Sequence, residues 1–80
     1  MNSIKVLGTG CPTCKKLLND VETLVQEKSW LAEVEYITDI ADIMSYGIMS
    51  TPALVVDEKV AFVGYPGKPK LEILLADLLA

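Results

Sequence analysis

The stretch Gly8-Thr9-Gly10-Cys11-Pro12-Thr13-Cys14 constrains this chain more than any other feature. It lies where a strand hands over to a helix: Ser3 to Leu7 reads as a short apolar strand, and Lys15 to Lys28 carries helical periodicity. The two cysteines are the only ones present. As a structural staple they are poorly placed, because chain entropy credits a four-residue loop with roughly 2 kcal/mol, against about 3 for fifteen residues. A Cys-x-x-Cys opening a helix in a small α/β pattern points instead to thiol–disulfide exchange.

The spacing suits that chemistry. The first turn of a helix leaves backbone N–H groups without partners and carries partial positive charge. Cys11 sits at or just before that turn, where a thiolate can accept those N–H groups, so its pKa is expected below the free value of roughly 8.5. It is the expected attacking sulfur. Cys14, one turn further in and more shielded, is the expected resolving thiol. Pro12 fits the first helical position, where a missing N–H costs nothing. Lys15 and Lys16 add positive potential that solvent screens.

Composition removes other classes. The chain has 80 residues, 51% of them apolar, enough for one domain (1–80) with a single core. A net charge of −4 offers no basic field for nucleic acid or an anionic membrane. No histidine is present, which excludes a Cys–His dyad, a histidine base and the usual Cys/His zinc sets. No signal peptide or membrane-spanning run is visible, so a cytoplasmic setting is expected, where a cysteine pair is catalytic more often than structural.

Periodicity gives the order of elements. Leu17, Leu18, Val21, Leu24, Val25 and Lys28 continue the stripe from Cys14, while Asn19, Asp20, Glu22, Thr23, Gln26 and Glu27 form the expected wet face. Ser29 and Trp30 break the pattern. Leu31 to Ile37 alternates, Ala32, Val34 and Tyr36 covered and Glu33 and Glu35 solvated on an edge. Thr38 or Asp39 caps a short second helix with Ile40, Ile43 and Met44 inward and Gly47 as its stop. Met44 and Met49 read as packing or loop residues rather than metal ligands. Ala53 to Val56 is a buried-type strand, Asp57-Glu58 a reversal without the usual glycine, and Lys59 to Val63 the returning strand. After Gly64-Tyr65-Pro66-Gly67, Pro69 starts a helix with a stripe of Leu71, Leu74, Leu75 and Leu78. The expected fold is α/β, β-α-β-α-β-β-α, with a four-stranded mixed sheet and helices on both faces.

On Cys11-Pro12-Thr13-Cys14, Thr51-Pro52 and Gly64, the chain resembles the thioredoxin/glutaredoxin superfamily, and within it the small single-domain redox-active disulfide proteins. The resemblance implies a minimal thioredoxin-like fold. It implies a thiol–disulfide oxidoreductase in electron transport that reduces protein disulfides, with Cys11 and Cys14 catalytic. It further implies a cis-proline at Pro52, substrate binding by Pro12, Thr13, Thr51, Pro52 and Gly64, and no cofactor or metal beyond the disulfide itself. Thr51 is expected to present its backbone to an added substrate strand, and Gly64 to let that strand approach.

Three positions depart from the pattern. Gly10 stands where full-size thioredoxins carry a tryptophan. Lys5 stands where they carry a buried acid, and its ammonium is expected to snorkel to the edge; removal of the proton from Cys14 is left unassigned. Gly64-Tyr65-Pro66-Gly67-Lys68 replaces the glutathione-binding Gly-Gly-x-Asp of glutaredoxins, and Lys15 or Lys68 are candidates for its carboxylates. Tyr65 falls beside Gly64, either bordering the groove or on plain surface. The expected partners are protein disulfides and a thioredoxin-reductase-type or glutathione electron donor, with the chain a monomer. The alternatives are a glutathione-coupled reductase, a redox-sensing module, and a copper carrier using both thiolates; such carriers run β-α-β-β-α-β.

Overall fold

Strand β1, Asn2–Leu7, is built from alternation: Ile4 and Val6 point to one side, Lys5 and Leu7 to the other. A computed structural model of the protein describes residues 2–48 and 51–79. The order is β1, α1 (Pro12–Glu27), β2 (Ala32–Ile37), α2 (Ile40–Ser45), β3 (Ala53–Val56), β4 (Lys59–Val63) and α3 (Lys68–Leu79). This is the expected β-α-β-α-β-β-α. The first helix begins three residues before its periodic stretch, and α3 begins one residue before Pro69. Met49, named above as a packing or loop residue, lies outside the described residues.

The sheet runs β2-β1-β3-β4. Strand β1 pairs parallel with β2 and antiparallel with β3, and β3 pairs antiparallel with β4. A register shift at Leu54/Val55 leaves Ala61 unmatched in β4. One face carries the larger core, where Leu17, Val21 and Leu24 of α1 and Leu71 and Leu75 of α3 meet Ile4, Val6, Leu54 and Val56. On the other, Ile43 of α2 and Ile48 cover Leu7, Ala53 and Val55. Helices therefore lie on both faces, as the pattern predicts.

Side-chain placement departs from the sequence reading at four points. Ile40 and Met44 are 61% and 66% exposed, not inward: α2 has six residues, and a helix under two turns presents one position, Ile43, squarely to the sheet. Leu78, at the end of the α3 stripe, is 43% exposed, while Leu71 and Leu75 are buried. Asp20, expected on the wet face of α1, is buried and accepts a hydrogen bond from the Tyr65 hydroxyl. Lys5 does not run to the sheet edge, because β1 is an interior strand. Its Nζ lies 2.6 Å from Glu58 Oε1 and 3.0 Å from Tyr46 Oη, on the α2 side.

The glycine-free hairpin is held from outside. Asp57 and Glu58 both adopt positive φ, 50° and 69°, the twist that two-residue hairpins favour. Asp57 exchanges hydrogen bonds with Ser3, its N–H donating to the Ser3 carbonyl at 2.8 Å and its Oδ1 accepting from the Ser3 N–H at 2.9 Å. Glu58 accepts from Lys5 and Tyr46. These contacts offset the conformational cost that glycine would avoid. Among the described residues, no helix is long and apolar enough to cross a membrane.

Candidate functional site

Strand register gathers the predicted site residues at one end of the sheet. Leu7 pairs with Ile37 and with Ala53, and Ala53 pairs with Val63. The segment after Leu7, the Thr51-Pro52 pair before Ala53, and Gly64 after Val63 therefore all leave the sheet at the same end. The Gly64 N–H donates to the Pro52 carbonyl at 2.6 Å, joining two of these segments directly. The Thr51–Pro52 peptide is cis.

The cysteines occupy the helix entry. Cys11 is the N-cap of α1 with extended backbone (φ −67°, ψ 159°), and Pro12 is the first helical residue. Cys11 Sγ accepts a hydrogen bond from the Cys14 N–H at 3.1 Å, the capping role usually filled by a serine or aspartate oxygen. The two sulfurs are joined in a disulfide with the Cα atoms 5.1 Å apart. Cys14 is fully buried, whereas Cys11 is half-buried and Pro12 and Thr13 are exposed. The half-buried cysteine thus holds its sulfur on a first-turn amide while the other cysteine is closed off from solvent. That asymmetry separates an attacking thiol from a resolving one.

Of the substrate-binding candidates, Thr51 is half-buried and Pro52 buried. Gly64 has φ +96° with open space where a side chain would stand. Lys5 sits on the opposite face of the sheet, in a hollow with Glu35, Asp42 and Tyr46, away from the sulfurs. Hydrogen bonding to Glu58 and then to Tyr46 raises the Lys5 pKa above the ordinary lysine range. Hydrogen bonds from Lys5 and then from Tyr46 lower that of Glu58.

Sequence reasoning missed two residues that shape this end. At Gly8, a Cβ would fall 2.6 Å from Cys14 Cβ and 2.8 Å from its Sγ, so only glycine admits the buried sulfur. Tyr36, read only as a covered strand residue, places its hydroxyl in the same corner and accepts from the Gly10 N–H at 3.1 Å. The signal for Gly8 was its place two residues before Gly10 in a strand-to-helix turn. Tyr36 carried none beyond its parity in β2. Nearby, Tyr65 donates to Asp20 and lies under Lys16, whose Nζ is 5.3 Å from the ring centre. Hydrogen bonding to Asp20, then burial, raises the Tyr65 pKa.

Comparison with known proteins agrees with this geometry. A family profile described as thioredoxin domain matches residues 2–76. The chain is 33% identical over 61 residues to a thioredoxin of Methanocaldococcus jannaschii, spanning 76% of this chain and 70% of that one. It is also 33% identical over 64 residues to a thioredoxin of Methanothermobacter thermautotrophicus, spanning 80% and 83%. In fold it is similar to a mutant thioredoxin from Halobacterium salinarum, with a TM-score of 0.77 at 24% identity over 99% of this chain and 75% of that one.

Proposed function

The chain belongs to the thioredoxin domain family and is a thiol–disulfide oxidoreductase, and we propose that it reduces disulfides of other proteins with Cys11 attacking and Cys14 resolving. The observation that carries this reading is the half-buried Cys11 sulfur on the Cys14 N–H, with the Cys14 sulfur fully buried behind it. In the reduced protein, the Cys11 thiolate attacks one sulfur of the substrate disulfide. The substrate S–S bond breaks, and one substrate sulfur leaves as thiolate. Cys14 then attacks Cys11 Sγ, the mixed disulfide breaks, and the second substrate sulfur departs. Two electrons pass to substrate, and the Cys11–Cys14 disulfide remains.

Pro12, Thr13, Thr51, Pro52 and Gly64 form the proposed substrate site. They share one end of the sheet, and the open space at Gly64 suits an extended peptide laid beside Thr51. The disulfide is the redox group, with no further cofactor in this reading. We also assign electron transport in the cytoplasm and action as a single-domain monomer. The reductant is a thioredoxin-reductase-type or glutathione donor. The observed β-α-β-α-β-β-α order disfavours the copper-carrier alternative, which requires β-α-β-β-α-β.

The test is turnover of a reporter protein disulfide with excess dithiol as donor. Cys11→Ser abolishes it, and Cys14→Ser accumulates mixed disulfides on Cys11 that reductant releases. Absence of both effects overturns the assignment.

A further inference from the structure

Gly8 marks a corner occupied from two sides. The point where its side chain would begin lies 2.8 Å from Cys14 Sγ and 3.3 Å from Tyr36 Oη. The two atoms are therefore no further apart than those distances laid end to end. Tyr36 Oη accepts the Gly10 N–H at 3.1 Å, which fixes the oxygen and leaves its own proton without an acceptor among the described residues. A phenol that accepts from an amide is polarised into a better donor. We infer that the Tyr36 hydroxyl is the hydrogen-bond donor that stabilises the Cys14 thiolate once that sulfur is released from the disulfide.

The corner needs such a donor. Cys14 is fully buried, so a thiolate formed there has no water to solvate it. The other titratable groups on the surrounding elements are turned elsewhere. On β1, Lys5 faces the α2 side with Glu35 of β2, and Glu33 is exposed on the same parity as Glu35. On α1, Lys15 and Lys16 are exposed, and Asp20, six residues beyond Cys14, is held by Tyr65. Cys11 faces Cys14 from the same helix entry. Tyr36 is the polar side chain of β2 that shares this corner with the sulfur.

In the resolving step the Cys14 proton ends on the departing substrate sulfur, and the Cys14 electron pair forms the bond to Cys11 Sγ. Tyr36 keeps its proton throughout and supplies only a hydrogen bond to the negative charge. This role rests on the exchange mechanism proposed above, but its test reads no turnover.

The experiment is a pH titration of isotope-labelled cysteine carbons by NMR in the reduced protein. In a Cys11→Ser background, Tyr36→Phe moves the Cys14 midpoint upward by about one pH unit, a roughly tenfold loss of thiolate at fixed pH. In a Cys14→Ser background, the same substitution leaves the Cys11 midpoint in place. An unmoved Cys14 midpoint, or a shift confined to Cys11, reduces Tyr36 to a tie for the Gly10 loop and overturns the inference. Should Tyr36→Phe not fold, fluorotyrosine at position 36 retains the shape with a stronger donor. A lowered Cys14 midpoint then supports the role, and an unchanged one removes it. Failure of protein-disulfide reduction, by contrast, would show in turnover and leave these midpoints untouched.

Discussion

Tyr65, in the loop after β4, donates its hydroxyl to the buried carboxylate of Asp20 on α1, across 45 positions of sequence. The bond joins the loop that follows Gly64 to the helix that Cys11 caps and that contains Cys14. Tyr65→Phe leaves the carboxylate buried without that donor, at a cost of about 1–3 kcal/mol. Urea unfolding measures it. Asp20→Asn in the same background recovers part of the loss, because the charge no longer needs solvation.

Gly8→Ala places a carbon inside the contact distance of Cys14 Cβ and Sγ. Overpacking of this kind costs about 1–3 kcal/mol. The displaced sulfur also resolves mixed disulfides more slowly. Stopped-flow measurement of the second step, set against an unchanged first step, separates this effect from general loosening.

The Lys5–Glu58 pair predicts a stability profile with two edges. The Glu58 pKa is lowered, so its contribution is present above the ordinary carboxylate range and is lost as pH falls through the lowered value. The Lys5 pKa is raised, so its contribution is present below the ordinary lysine range and is lost only as pH rises through the raised value. Glu58→Gln therefore lowers the urea midpoint at neutral pH, and the gap to the parent protein closes as pH falls through the lowered Glu58 value. Added salt shrinks the gap at neutral pH, because Glu58 is exposed.

Gly64→Val forces a branched side chain to φ +96°, at a cost of about 1–3 kcal/mol, and fills the open space beside the proposed groove. Turnover of a protein disulfide falls at least about tenfold, while exchange with a small, unhindered disulfide changes little. Parallel assays on the two substrates decide the point; an equal loss on both would refute the groove assignment.

Much of the fold and the sulfur pair was legible because both are local. Strand alternation and the three-to-four step fixed the element order, and the helix-opening cysteines carried their chemistry in four consecutive residues. What escaped depends on partners far along the chain. Asp20 looks solvated by helical phase, and the Tyr65 hydroxyl, 45 positions away, makes its burial tolerable. Lys5 meets Glu58 from 53 positions away, so nothing near it in the sequence signals the pair. Tyr36 shows its parity, but not that its hydroxyl reaches the turn between β1 and α1. Ile40 and Met44 fit an inward stripe that a six-residue helix is too short to bury.

The unequal cores on the two faces of the sheet have a consequence for how the molecule opens. Among the described residues, the core on the α1 and α3 face holds nine buried residues, helix residues included, and the core on the α2 face holds five. Amide exchange should accordingly be fastest in α2, with that segment detaching as a cooperative unit before the rest gives way. Because α2 leads by chain to Thr51, a partial excursion of this kind alters the lip of the proposed peptide groove while the sulfurs keep their places. Reactivity and recognition would then be separately adjustable within one small protein.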